Sequence, residues 1–533
     1  MGRSPLPVHT LRIGGTALIN ILQDPVFRVT DHHHPHTLTL PEVLEALGRD
    51  AVDHFLGLQG HQQDAVHVFL SYLAATILAR RHETIPRQPA DFWLSGFRAL
   101  ARRPDDDAWT LVVANQDHPA FLQPPVLSPP ALSPEKYPTP DALDVLNSSQ
   151  NHEIKKNRAS HAYPDEWIYA LITLQMMSPY LGQGTSAISR MYANQRLIVE
   201  VTDNLRYGPR WSHAVTRLLA YRPTLLREPY LYRDDGVTLT WVPPWPVGES
   251  LSLRELDPFY IDISRRIRLV ATDTGCQALK INPTNDNTPR IAAKTQNGNL
   301  GDAWIPVNID PGPKNNLPHR ALSTEKVDAA FLQRILFERH VILAPLQRPE
   351  RAWQESLYFI ISLLIRGKNA GQTDGFSRTV LRIPAPAQHT IFGPVAQRDL
   401  WGDYSARMIN DAQNMQRILK TALMAYLEAG PEQLQRQRQS IRKWRERAMT
   451  QWTAQWQTQY FSHLWTAIDK NSSMRTAWQE DLAGFAVTVL NQAERTWPTP
   501  ANRYYRSCVV AHNTFDRQLA TTFPDLTARR RPS

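Results

Sequence analysis

The chain has 533 residues, 42% hydrophobic and 9% aromatic, which excludes global disorder and is too long for one compact core. Lys and Arg outnumber Asp and Glu by 59 to 50, a net charge of +9 that fits a phosphate-contacting surface without requiring one. Only two cysteines occur, Cys276 and Cys508, so a disulfide framework and a four-cysteine zinc ribbon are excluded and a reducing compartment is the simplest setting.

The opening stretch MGRSPLPVHTLRIGG lacks the apolar core of a signal peptide. The most apolar helix candidate, Ala65 to Ala79, is interrupted by His67, Ser71 and Thr76 and is too short to span a bilayer. A cytoplasmic protein with no membrane partner is expected.

In chain order, Asn20-Ile-Leu-Gln-Asp-Pro-Val-Phe-Arg-Val29 reads as a short strand, a proline turn and a second strand. Residues 50–81 carry helical spacing, with Val66, Phe69, Leu70, Leu73 and Ile77 on one face. Phe121 to Pro140 contains seven prolines and is expected to be an extended surface segment. A polar, basic run follows from Asn147 to Arg158, then a helix from about Asp165 to Met177.

Residues 230–310 read as β-rich. Asp235-Gly236 is a hairpin turn signal with Val237, Leu239 and Trp241 alternating behind it, and Ile263, Ile267 and Leu269 repeat that period before Thr274-Gly275. Beyond about residue 390, glycine and proline thin out. Tyr404, Met408, Ala412, Met415, Leu419, Leu423 and Tyr426 form one apolar stripe, ended by Gly430-Pro431. Trp444, Ala448, Trp452, Trp456, Tyr460, Leu464 and Ile468 form a second, ended at Asn471. With helices near 474–495 and 500–522, this part reads as a four-helix bundle. The fold class expected is α+β, with a mixed domain over 1–385 and the bundle over 386–533.

Several patterns invite a catalytic or metal reading and do not sustain it. Asp31-His-His-His-Pro-His36 has no partner set at zinc spacing and is read as a solvated turn. Asp105-Asp106-Asp107, next to Arg102-Arg103, is read as a charged loop or helix cap. His512-Asn513 lacks flanking ligands, and the phosphate-loop, dinucleotide, zincin and serine-hydrolase motifs are missing. No enzyme, metal or cofactor is expected. One basic strip stands out: between Arg436 and Arg447, six cations face one acid. Arg436, Arg438, Arg442 and Lys443 form either a solvated helix face or a phosphate-tracking surface that reads no sequence.

Five segments, in order, resemble the CasA family, the large subunit of the type I-E CRISPR Cascade complex. They are Asn20 to Val29, His118-Pro-Ala-Phe-Leu-Gln123, Ala187-Ile-Ser-Arg-Met-Tyr-Ala-Asn-Gln195, Thr274-Gly275 with Lys280, and Gly367-Lys-Asn-Ala-Gly-Gln372. The family's glycine-rich loop after Asn194 is missing, since Arg196-Leu-Ile-Val-Glu200 runs straight on, and so is the cysteine cluster that gives some members zinc.

The resemblance implies a non-enzymatic subunit. It would read the protospacer-adjacent motif (PAM) in double-stranded target DNA, start strand separation for R-loop formation and help recruit a helicase–nuclease. The implied PAM and DNA contacts are Lys280, Asn194, Gln195, Gln372, Asn369 and Lys368. Asn147, Asn151, Lys155 and Lys156 would dock beside the CRISPR RNA. The backbone, 5′-handle-binding and small Cascade subunits are the remaining implied partners. Two rivals stand beside this reading: a metal-dependent nuclease, and a purely architectural nucleic-acid-binding scaffold.

Overall fold

A computed structural model describes residues 19–126, 136–144, 146, 162–180, 188–193, 195–230, 232–272, 275–281, 288–309, 319–349, 355–367, 373–428 and 439–526. The chain divides into two compact units. The first is Met1–Val327 with His340–Arg351 and Glu355–Arg382; the second is Asp328–Arg339, Ala352–Gln354 and Ile383–Ser533.

The first unit begins with hairpin β1 (Phe27–Asp31) and β2 (His34–Leu38), then α1 (Leu40–Gly48), β3 (His54–Phe55), α2 (Gln63–Arg80) and α3 (Ala90–Ala101). β4 (Lys136–Tyr137), α4 (Pro140–Leu143), α5 (Pro164–Met176), β5 (Ile198–Thr202) and α6 (Tyr207–Leu225) follow. Then come β6 (Val237–Leu239), β7 (Leu256–Ile261), β8 (Ile267–Thr272), β9 (Gly275–Lys280), β10 (Val307–Asn308) and β11 (Arg320–Ala321). After α7 (Ala329–Phe337), which belongs to the second unit, β12 (Val341–Ile342), β13 (Leu357–Arg366) and β14 (Thr373–Ile383) close the series.

The sheets are small: β2-β1-β3, β4-β9-β8, β11-β10-β12, β14-β13-β5 and the pair β6-β7. They wrap a core in which Trp93, Trp109, Trp167, Trp211, Trp241 and Trp304 are all fully buried. The centre of that core is α2. Its Val66, Phe69, Leu70, Leu73 and Ile77 are buried as expected, but so are Asp64, His67, Ser71 and Thr76 on the other faces. The helix is therefore enclosed on every side, and its polar residues must find internal partners.

Three further expectations change. The first half of Asn20–Val29 is a turn rather than a strand: Asn20 Oδ1 accepts from Leu22 N at 2.9 Å, and Asp24 Oδ2 accepts from Asn20 N at 2.7 Å. These short polar side chains satisfy the backbone locally and compete with sheet pairing. Asp235-Gly236 does turn the chain, but the strand after it pairs in parallel with β7 instead of closing a hairpin. The proline-rich stretch starts inside the protein, with Phe121, Leu122 and Gln123 buried. The histidine run is the tip of the β1–β2 hairpin, with His32 and His33 at φ 46° and 67°, the left-handed pair of a tight two-residue turn.

In the second unit, α8 (Ala385–Phe392) precedes four long helices: α9 (Val395–Glu428), α10 (Gln439–Asp469), α11 (Arg475–Thr496) and α12 (Ala501–Thr522). Both apolar stripes are interior, with Met408, Ala412, Met415, Trp452, Tyr460 and Leu464 fully buried. Polar ties join the helices: the Tyr460 hydroxyl on α10 donates to Ser405 O on α9 at 3.1 Å, Trp478 Nε1 on α11 donates to Met408 O at 3.0 Å, and Arg475 grips buried Asp411 at 2.6 and 2.7 Å. Asn471, at φ 45°, follows the end of α10, as Asn does in left-handed helix caps. α7 joins this unit through Gln333, whose Nε2 donates to Ser405 Oγ at 3.2 Å.

Candidate nucleic-acid interface

Three elements of the first unit carry the residues picked out in the sequence. The first is the β8–β9 hairpin, which ends at Lys280, half-buried and opposite Ile267. Its position is set by two side chains. Gln123 is fully buried; its Oε1 accepts from Leu269 N at 2.7 Å while its Nε2 donates to Leu111 O at 2.8 Å. The Gln of the His-Pro-Ala-Phe-Leu-Gln segment is thus a clamp on β8. Arg268, also buried, donates to the carbonyls of His118 at 2.9 Å and Asn115 at 3.1 Å. Burial without a paired carboxylate lowers its pKa to about 10.

Upstream of β8, Gln175 on α5 accepts from Ser264 N at 2.8 Å and Arg265 N at 2.9 Å through the same oxygen. Arg265 is itself buried, its pKa pushed down to about 10 by desolvation, and it donates to Ser264 O at 3.0 Å and Pro179 O at 3.2 Å. Lys280, opposite Ile267, therefore stands at the end of the ladder nearest the clamps on Ser264, Arg265 and Leu269.

The second element is the segment 188–196 that contains Asn194 and Gln195. Both of its ends are held by buried charge. Arg196 donates to Asp302 Oδ2 at 2.8 Å, and Arg190 Nε lies 3.4 Å from the same oxygen with its guanidinium 3.6 Å over the Tyr260 ring. Ser189 N donates to Asp262 Oδ2 at 2.7 Å. Desolvation raises the Asp262 pKa, against the pull of Arg190. Gly298, at φ +72°, allows the loop beneath to touch the segment, since a Cβ there would sit 2.6 Å from the Met191 carbonyl carbon. Gln195 is a correction to the sequence reading: its side chain is buried, turned into the protein by the Tyr192–Gln195 bridge. Asn194 lies outside the described residues.

The third element is the β13–β14 hairpin. Its tip, including Lys368, Asn369 and Gln372, lies outside the described residues, but its base is described. β13 runs antiparallel to β5, with Tyr358 opposite Thr202, Ile360 opposite Glu200 and Ser362 opposite Ile198. Because β5 follows directly from the 188–196 segment, one sheet joins the second and third elements. That sheet is fixed to α2 by a buried ionic cluster. Arg210 on α6 donates to Glu200 at 2.7 Å and to Asp64 at 2.7 Å, and Arg378 on β14 donates to Asp64 at 2.9 Å. Arg210 and the other cations hold the Asp64 and Glu200 carboxyls below the usual range despite their burial. His67 Nε2 is 3.1 Å from Glu200, yet burial and the nearby Arg210 lower its pKa.

The other sequence candidates are placed as follows. Asn147, Asn151, Lys155, Lys156, Arg436 and Arg438 lie outside the described residues. In the second unit, Arg442 falls in the first turn of α10 and Lys443 is exposed beside it. The Asp105–Asp107 run is a charged loop leading into a short 3-10 turn. Asp106 accepts from Arg98, Gln23 and Asn20. Asp105, Asp107 and His118 come within 4.8 Å of one another, but Arg103 pairs with Asp105 at 2.8 Å and supplies the positive charge there. Sequence reasoning missed Asp302, Asp64, Arg210 and Arg378, because buried ion pairs across 146 or 314 positions leave no local pattern.

No protein-family model and no curated protein matches the chain. Solved structures do, over almost the whole length. CasA of Thermus thermophilus is 15% identical, covering 95% of this chain and 100% of its own, at a TM-score of 0.60. A CRISPR-associated protein Cse1 from Acidimicrobium ferrooxidans is 14% identical, covering 96% and 99%, also at 0.60. A chain of a CRISPR RNA-guided surveillance complex is 12% identical, covering 94% and 99%, at 0.54. The chain thus has the CasA/Cse1 fold, mixed α+β with a helical C-terminal part. Among the described residues, no helix is long and apolar enough to cross a membrane.

Proposed function

We propose that the chain is the large subunit of a type I-E-like CRISPR RNA-guided surveillance complex. It would recognise the PAM in double-stranded DNA, initiate strand separation and help recruit the helicase–nuclease. The observation that carries this reading is a fold match over 95% of this chain and all of a CasA chain.

The chemistry fits that role. Lys280, on β9 beside the strand that Gln123 and Arg268 tie down, offers a point charge to the minor groove, which presents mostly acceptors. With Gln195 buried, Asn194 is left to supply the amide of this pair. The β13–β14 hairpin, braced by Arg378 on Asp64, provides a stiff base for a tip made of Lys368, Asn369 and Gln372. Asn147, Asn151, Lys155 and Lys156 dock beside the CRISPR RNA, next to the backbone, 5′-handle-binding and small subunits. Arg436, Arg438, Arg442 and Lys443 track DNA phosphates. Every step here is binding or displacement, so the chain works without a catalytic centre.

The test is reconstitution with guide RNA and the other subunits on duplex DNA in Mg²⁺ or Mn²⁺. Motif-dependent opening without cleavage is expected from this chain. Cleavage by the purified chain alone would favour the nuclease reading, and opening with no motif preference would favour a scaffold.

A further inference from the structure

A cavity of about 260 Å³ opens on the first unit, lined by Pro229, Tyr230, Ser252, Arg254, Gln296 and Asn299 among others. Its walls are built rather than incidental. Tyr232 anchors one side by donating from its hydroxyl to Leu300 O at 2.9 Å, and the Tyr230 ring lies nearly parallel to it, 14° apart. Gly301, at φ +72°, leaves room for Tyr230 to close the wall, since a Cβ there would meet the Tyr230 ring at 3.1 Å. Opposite, a capping box fixes the Leu253–Glu255 turn: Ser252 N donates to Glu255 Oε2 at 2.8 Å and Arg254 N donates to Ser252 Oγ at 3.3 Å. That turn holds Arg254 at the cavity, exposed to solvent. The Asn299 Oδ1 is shut off from solvent with no hydrogen-bond partner.

We propose that this cavity binds a single nucleotide unit. At about 260 Å³ the cavity lies just below the 300–1,000 Å³ of sites for drug-sized molecules, so it has room for no more than one nucleotide unit. A flat wall of proline and tyrosine accepts the face of a base. An exposed guanidinium is the group that grips a phosphate through paired donors. Gln296, exposed on the lining, offers a carboxamide to the edge of a bound ring. The nucleotide is either free or part of a single strand.

Calorimetric titration of the full chain with AMP, CMP and UMP separates these sources, together with ultraviolet crosslinking to a short 5′-phosphorylated oligonucleotide. A free ligand gives binding of at least one of the three that weakens at least tenfold in Arg254→Gln and measurably in Gln296→Ala. Both side chains are exposed, so both variants keep the fold. A strand ligand leaves the titrations silent but crosslinks to the peptide containing Tyr230, and the crosslink is lost in Arg254→Gln. Neither binding nor a crosslink at these peptides, or binding indifferent to both substitutions, overturns the site.

Discussion

Arg378 Nε and Asp64 Oδ2 meet at 2.9 Å, joining the last strand of the hairpin to the central helix across 314 positions of sequence. The other oxygen of Asp64 accepts from Arg210 at 2.7 Å, so one buried carboxylate fixes a strand and a helix together. Arg378→Ala leaves Asp64 with a single partner. Losing a hydrogen bond to a charged group costs about 1.5–3 kcal/mol. The loss should appear as faster amide exchange in β13 and β14, with protection in α9 to α12 unchanged. Uniform change across both units, or none, would remove Arg378 from this bracing role.

The same cluster sets a pH dependence. His67 is buried among Glu200, Arg210 and Asp64 with Trp304 edge-on, and burial and Arg210 lower its pKa. Unfolded histidine takes up a proton near pH 6.5, whereas the folded ring resists it, so the unfolded state binds more protons below that point. Stability from this residue is complete above about pH 6.5 and declines as pH falls toward the lower folded value. Asp64 and Glu200, held below the usual range, contribute stability lost only in more acid solution, below about pH 4. Melting temperatures at pH 5 to 7 should therefore fall less steeply in His67→Gln than in the wild type, with the drop below about pH 4 kept. Parallel curves would mean that His67 takes its proton as readily folded as unfolded.

How much of this was legible in the sequence depends on the range of the interaction. The bundle stripes were readable because helical period is local: Met408, Met415, Trp452 and Tyr460 are all interior. So were β8 and β9, and the left-handed Asn471 after α10. The interior position of Gln195 was not, because a short bridge to Tyr192 decides which way it points. Gln123 was noticed as part of a segment, but its work on Leu269 N, 146 positions away, needed coordinates. The bracing charges Asp64, Arg210, Asp302 and Arg378 look like ordinary surface residues until the fold encloses them.

Lys280 tests the motif-reading role. The partner strand β8 is held by Gln123 and Arg268 whether or not the lysine is present, so Lys280→Ala should leave the melting temperature near wild type. Affinity for duplex targets should fall strongly while binding to pre-opened DNA is nearly intact, measured by gel shift on both substrates. Equal loss on both would make Lys280 a general phosphate contact.

The strip at the start of α10 is separable by salt. If Arg436, Arg438, Arg442 and Lys443 hold phosphates, their quadruple alanine variant should show a flatter log–log dependence of affinity on salt. Each lost contact lowers the slope by roughly 0.9 on duplex DNA or about 0.7 on a single strand. An unaltered slope would assign the four to a solvated face or a protein contact.

The hairpin tip carries the most specific expectation. Gly367-Lys-Asn-Ala-Gly-Gln372 places carboxamides among glycines that permit a tight turn. Below it, Phe359, Ile360, Ile361, Leu363 and Leu364 are buried in a strand paired to β5, and Arg378 locks the returning strand. A tip on so firm a base can be pushed between base pairs without yielding. A flat amide can stack on one base while its donor and acceptor meet the exposed edges, and opening one step costs about 1.4 kcal/mol of stacking. Gln372→Ala should therefore slow R-loop formation on linear duplex DNA. Negative supercoiling, or mismatches beside the PAM, should restore the rate because they open the first pair without help. Arg378→Ala should slow opening in the same way and be rescued by the same substrates, since it softens the base of the hairpin and leaves the tip chemistry alone. Opening at the wild-type rate in Gln372→Ala, or a defect that neither substrate rescues, would show that Gln372 is not the wedge.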